Sequence, residues 1–232
     1  MTSLNILSGG AAQGLVAGLV ETFKTQTGFG IEGEFGAVGV MAGKLRAGTP
    51  ADLVILTRAL LTKLADEGLV VPTSIADVGL VETALAVRAG DPKVTVRTEA
   101  DLRDVLRASD AIFVPDTKAS TAGIHVAKVL DRLGISYEVA SRLKIFANGA
   151  TAMRQLAESS AQRPIGLTQA TEIIATKGIV LSGALPPGCE LSTMYSAGIT
   201  TRAANPGEAR ALIELLTGAD QSELRERVGF AG

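Results

Sequence analysis

Four turns in this chain carry residue types that bind anions without a cationic side chain: Ser8-Gly9-Gly10, Gly36-Ala37-Val38-Gly39, Ser120-Thr121-Ala122-Gly123 and Asn148-Gly149-Ala150-Thr151. Each stands between a strand-like run and a helix-like run. A helix that begins at such a turn leaves its first N–H groups unpaired and bears partial positive charge there. Glycine lets a ligand approach the backbone closely. Any one of these turns could equally serve as a plain helix cap. Four together, divided between the two halves of the chain, point to a small-anion cleft. None follows the phosphate-loop or Gly-x-Gly-x-x-Gly pattern, which speaks against a nucleotide.

Single side chains add chemistry to these turns. His125, the one histidine, falls in the first turn of the helix after Ser120, about 90° from the apolar stripe Val126, Val129, Leu130 and Leu133. Its ordinary pKa lies near neutrality, which suits it to take and return a proton. Facing solvent is the plain alternative. Arg58 follows a buried-type strand at its carboxyl end, where α/β sheets hold ligands. It could grip a carboxylate in bidentate fashion or form a surface ion pair. Thr57, Asn148, Thr168 and Gln169 are neutral donors at strand or helix ends. Asp116, Lys118 and Tyr195 are the reserve acid–base groups. Cys189 has no activating neighbour in sequence, which argues against a nucleophile.

The chain has 232 residues, with 22 Lys plus Arg against 24 Asp plus Glu, a formal net charge of −2. That balance argues against a nucleic-acid partner. One cysteine and one histidine exclude an internal disulfide and leave a metal site improbable, and no cofactor is implied. Aromatic residues make up 3%, with no Trp, so base-stacking platforms are not expected. The N-terminal stretch has no basic residue before Lys24 and is interrupted by Ser3, Asn5, Ser8 and Gln13. It predicts a strand, a turn and a helix rather than a secretory signal, so the expected location is cytoplasmic unless a leader was trimmed. No membrane insertion is expected.

Strands and helices alternate. Strands are predicted at Leu4 to Leu7, Ile31 to Phe35, Asp52 to Leu56, Glu82 to Val87, Ala111 to Val114, Ile165 to Leu167, Ile179 to Leu185 and Leu191 to Thr200. Gly28 is a predicted C-cap, and Thr98 with Asp101 forms a capping-box-like pattern. This alternation predicts an α/β fold of parallel strands with crossover helices.

The run Leu45-Arg46-Ala47-Gly48-Thr49-Pro50-Ala51-Asp52-Leu53-Val54, with Thr121-Ala122-Gly123-Ile124, Arg132-Leu133-Gly134 and Arg227-Val228-Gly229-Phe230, resembles the type II periplasmic solute-binding proteins. Within them the molybdate-binding proteins are the nearest likeness, and aconitate-isomerase-like enzymes share the fold. The resemblance spans essentially the whole chain. It implies two Rossmann-like lobes, residues 1–82 plus 194–232 and residues 83–193, joined by two crossing strands with the ligand in a cleft between them. It also implies that the ligand lies against helix N-termini. Together with the turns and side chains read above, the expected ligand contacts are Ser8, Gly9, Gly10, Ala37, Val38, Gly39, Thr57, Arg58, Ser120, Thr121, Ala122, Gly123, Asn148, Thr168 and Gln169. Two departures stand out. Ala37, Val38 and Gly39 replace the serine-rich turn of the molybdate binders, and Gln169 stands at the position of their ligand-side tyrosine. Molybdate and tungstate are therefore expected to bind weakly or not at all.

Two functions follow. One is a cofactor-independent isomerase that binds a small organic polycarboxylate and moves a proton through His125. The other is a non-catalytic receptor of a molybdate-type ABC transporter, with a permease as its partner, or a cytoplasmic anion-binding relative.

Overall fold

In the computed structural model, which describes residues 2–231, hydrophobic spacing becomes structure largely where the sequence predicts it. β1 (Ser3–Gly9) passes through a 3-10 turn into α1 (Gln13–Thr27), whose Leu15, Leu19 and Phe23 are buried on one stripe. Gly28 ends that helix with φ at 76°, in the left-handed region. β2 (Gly30–Gly36), α2 (Val38–Arg46), β3 (Leu53–Thr57) and α3 (Arg58–Asp66) repeat the unit, and β4 (Ala76–Arg88) follows. Next come α4 (Glu99–Ala108), β5 (Ala111–Pro115), α5 (Thr121–Arg132), the one-turn α6 (Ser136–Val139) and β6 (Leu143–Phe146). The chain continues through α7 (Gly149–Ala157), β7 (Pro164–Gln169), the short α8 (Ala170–Ile174) and β8 (Ile179–Ala184). It finishes with β9 (Ser192–Ile199), α9 (Pro206–Thr217) and α10 (Ser222–Arg227).

The chain divides into two compact units, one running to Val81 and resuming at Thr193, the other holding Glu82–Ser192. β4 and β9 carry the chain from one to the other. In the first unit the strand order is β2-β1-β3-β9, with β1 parallel to β2 and β3, and β9 antiparallel to β3. Its core joins Leu15, Leu19 and Phe23 to Leu53, Ile55, Leu61, Leu212 and Leu216. In the second, β5 is parallel to β6 and β7, while β4 is antiparallel to β7 and β8. One face of this sheet (Leu85, Ile112, Val114, Leu167) packs on Val126, Val129 and Leu130 of α5. The other (Ala84, Ala86, Phe113) packs on Ala152, Met153 and Leu156 of α7.

Two features of the sheets differ from the sequence expectation. The sheets are mixed rather than wholly parallel, because β9 arrives from the Pro186–Leu191 segment instead of a crossover helix, and only parallel neighbours need the crossover. β4 begins at Ala76, six residues before the predicted start. Gly79 hides this extension: its φ is +155°, and a Cβ there would stand 3.0 Å from the Ala231 carbonyl oxygen.

The Ala-Gly-x-Pro-Ala-Asp run is a structural staple. Gly48 turns the chain after α2 at φ +87°. Asp52, 2% exposed, then accepts hydrogen bonds from Asn5 N (2.9 Å) and Asn205 N (2.8 Å). The same residue's backbone pairs with Asn5 O (2.8 Å) and Thr200 N (3.0 Å). Through its carboxylate Asp52 ties β1 to the start of α9, and through its backbone it ties β1 and the end of β9 to the start of β3.

Candidate functional site

In the first unit the register brings three of the predicted segments to one sheet edge. Gly9 pairs with Gly36 and Ser8 with Ile55, so β1, β2 and β3 end level and their helices start side by side. Ser8 is buried and its hydroxyl donates to Gly9 O (2.9 Å). Gly9 is glycine for packing: a Cβ would lie 2.9 Å from Val38 Cγ1 and 3.1 Å from the Tyr195 ring. Gly10 opens the 3-10 turn before α1, Ala37 is the N-cap of α2, Val38 is buried and Gly39 is exposed. Thr57 caps α3, accepting from Leu60 N (3.4 Å). Arg58 pairs with Asp77: Nη1 lies 2.6 Å from Oδ1, and Ser196 Oγ donates to the same oxygen at 2.6 Å. Burial opposes ionisation of Asp77, but the bonds from Ser196 and Arg58 outweigh it and hold its pKa below the ordinary carboxylate value.

The second unit gathers the remaining segments at the carboxyl edge of β6, β5 and β7. Ser120 caps α5, its Oγ accepting from Gly123 N (3.5 Å), and Thr121 and Ala122 form the first turn. Gly123 packs so tightly on the end of β5 that a Cβ would sit 2.2 Å from Asp116 O. Asp116 Oδ1 accepts from Lys118 N (2.7 Å) and Ala119 N (3.0 Å), an Asx turn that shapes the loop before α5. His125 Nε2 donates to Cys189 O at 2.7 Å. A carbonyl oxygen only accepts, so Nε2 carries a proton, and of the two neutral tautomers the one that fits this bond has its lone pair on Nδ1. Cys189 itself is fully buried, and burial raises its thiol pKa.

The fourth turn has an internal occupant. Asn148 Oδ1 caps α7 by accepting from Thr151 N (2.8 Å). The backbone N–H groups of Gly149, Ala150 and Gln169 donate to the carboxylate of Glu172, and Thr168 Oγ1 donates to its Oε2 at 2.5 Å. Gly149 admits this group because a Cβ would fall 1.9 Å from Glu172 Oε2. Burial pushes the Glu172 pKa above the usual range against the pull of these donors. Thr168 thus serves an internal carboxylate, while Gln169, its neighbour on β7, turns to the opposite face of the sheet. Sequence reading passed over Glu172. Its signal was being the one charged residue between Arg163 and Lys177, four positions after Thr168.

Two surface cavities, of about 250 and 280 Å³, lie elsewhere. The first borders Val87, Val105 and Pro164, the second Leu45, Pro50 and Thr200, at the far ends of the strands from these helix N-termini. The first is also lined by Arg163 and Asp91, which pair with Asp110 and Arg88, and the second by Arg46, which pairs with Glu67, and by Arg202. Among the described residues no group of three or more His, Cys, Asp or Glu could hold a metal ion. No helix among them is long and apolar enough to cross a membrane.

Two α/β units exchanged by two strands, with helix N-termini collected at strand carboxyl edges, define the fold of the type II periplasmic solute-binding proteins. The chain belongs to the family described as bacterial extracellular solute-binding protein, whose model it matches over residues 4–231. It is 27% identical to an aconitate isomerase from a Pseudomonas species, over 99% of this chain and 88% of that protein. It is 22% identical to the molybdate-binding protein ModA of Escherichia coli (strain K12), over 90% of this chain and 80% of that one. Among solved structures, the periplasmic molybdate-binding protein of Azotobacter vinelandii superposes with a TM-score of 0.83 at 18% identity, covering 99% of both chains.

Proposed function

We propose that this protein binds a small di- or tricarboxylate at the helix N-termini described above and isomerises it by proton transfer through His125. The observation that carries the reading is the N-terminal end of α5. Its capped first turn, Thr121 to Ile124, has no cationic side chain, and His125, expected in that turn, instead opens the second one because the helix already begins at Thr121; its Nε2 donates to the Cys189 carbonyl. The likeness to an aconitate isomerase along nearly the whole chain supports the substrate class. In the proposed step Nδ1 of His125 takes an allylic proton next to a carboxylate. The electron pair spreads into that carboxylate as an enolate, which the N–H groups of α5 stabilise. The imidazolium then returns the proton at the other end of the allyl system, and the double bond has moved. No oxidant, reductant or cofactor enters the balance.

A second reading is a non-catalytic receptor, which would use a transporter permease and work outside the cytoplasm; the isomerase needs neither. The pairing of Arg58 with Asp77 favours the receptor, because it removes a cation from catalytic duty. A thermal-shift screen against citrate, cis- and trans-aconitate, malate, molybdate and sulfate separates the two, followed by proton NMR of the bound acid in deuterium oxide. Exchange at the allylic carbon, lost by about 10²–10⁴ in His125→Asn with affinity kept within tenfold, supports the isomerase. Tight carboxylate binding without exchange leaves the receptor. Micromolar molybdate binding with no carboxylate binding removes the carboxylate reading.

A further inference from the structure

The hydroxyl of Thr83 is buried without a hydrogen-bond partner among the described residues, although the side chain is only 1% exposed. An orphaned buried hydroxyl is costly, so one at a sheet edge implies a partner that arrives from outside. Its position says what kind. Thr83 lies directly opposite Gln169 in the antiparallel β4–β7 pair, so their side chains share a face. Two residues on, Leu85 and Leu167 pack with Val126 and Val129 of α5, so this is the face that α5 covers. Residues 189–191 bind both neighbours: Thr83 N donates to Leu191 O (2.9 Å), and His125 Nε2 donates to Cys189 O (2.7 Å). Thr83 is therefore at the same edge and on the same face as the N-terminal half of α5. The hydroxyls of Thr171 and Thr193 also lack partners. Thr171, however, is on α8, whose Ala170 and Ile173 belong to the core on the α7 face, and Thr193 belongs to the first unit.

We propose that Thr83 is a ligand-binding residue whose hydroxyl donates to an oxygen of the anion held at the N-terminus of α5. The direction follows from the surroundings: unpaired N–H groups and partial positive charge at the helix end select a group that accepts hydrogen bonds. A hydroxyl beside them completes the site as a donor. This rests on the anion-binding reading above and adds to it a residue that neither the turns nor the glycines indicate.

The test is calorimetry with trans-aconitate, citrate, molybdate and sulfate on the wild type, Thr83→Val and Thr83→Ser, with the melting temperature of each ligand-free protein. Valine keeps the shape and removes the donor. Expected is a loss of affinity on the order of 10- to 100-fold in Thr83→Val and less than about threefold in Thr83→Ser. The ligand-free melting temperature of Thr83→Val stays level or rises, since an unsatisfied group has gone. A loss shared by aconitate and molybdate identifies an oxygen common to both, and a loss confined to one assigns the contact to a carboxylate or to an inorganic oxyanion. If the wild type binds a probe and Thr83→Val binds it equally well, Thr83 has no such role while anion binding stands. If Thr83→Val melts lower by several degrees with unchanged affinity, the hydroxyl is structural and the proposal fails. A wild type that binds none of the four removes the anion-binding reading, and Thr83's role with it.

Discussion

Glu172 occupies the start of α7 as a bound anion would, and its protonation state enters stability with a definite sign. Burial raises its folded pKa above the ordinary glutamate value of 4.5. Between that value and the raised one, the folded protein binds more protons than the unfolded chain. Stability from this group is therefore complete below about pH 4.5 and falls as pH rises through the folded pKa. Urea denaturation of wild type and Glu172→Gln across pH 4 to 8 reads this directly. The difference should move in favour of the glutamine variant as pH increases, and a difference that stays flat contradicts the assignment. Gly149 tests the same seat from the other side. A Cβ there meets both Glu172 and Thr168, so Gly149→Ala should cost about 3 kcal/mol by displacing a hydrogen-bonded buried carboxylate. A cost under about 1 kcal/mol would mean that the carboxylate moves aside freely. The turn was legible in sequence as Asn148-Gly149. Its occupant was not, because Glu172 reaches it from another strand–helix junction, a pairing that only the fold creates.

Elements whose signals are local follow the sequence closely. Thr98 and Asp101 form a full capping box: Thr98 Oγ1 accepts from Asp101 N (3.1 Å) and Asp101 Oδ2 from Thr98 N (3.0 Å). Thr98→Ala should cost α4 about 1 kcal/mol, measurable as a shift of the urea midpoint without a change of slope. Gly28 ends α1 in the left-handed region as its spacing suggests, and Gly68 turns the chain after α3 in the same conformation. Asp52 was legible only as part of a family-like run, and its role is long-range. Removing its carboxylate takes the acceptor from the part-buried N–H groups of Asn5 and Asn205, so Asp52→Ala should cost on the order of 1–3 kcal/mol. Retention of wild-type stability would show that the staple is dispensable. The first six residues of β4 and all of α8 escaped prediction for a related reason. Gly79 interrupts the strand signal with a conformation set by contact with Phe230 and Ala231, and α8 is too short to display a helical period.

At the scale of the whole molecule, the alternation of elements and the family-like runs specify the fold class. The ligand leaves a fainter trace, because backbone N–H groups have no side-chain signature. The same property has a measurable consequence for the chain as a whole. Its charges nearly cancel, 22 basic against 24 acidic, so no net field draws an anion in. Arg58, the basic residue closest to the helix starts of the first unit's edge, is committed to Asp77. An anion held by neutral donors feels helix-end dipoles at contact distance, well inside the Debye length of about 10 Å at 0.1 M salt. Raising sodium chloride from 0.05 to 0.5 M should then weaken binding of the best carboxylate by less than about threefold. The association rate should stay level or rise slightly, since screening relieves repulsion by the net negative charge. Stopped-flow and equilibrium titrations at both salt concentrations check this. A loss of tenfold or more would mean that cationic side chains hold the ligand. Arg58 would then have to leave Asp77 to serve it, and Arg58→Gln would reproduce the high-salt affinity at low salt.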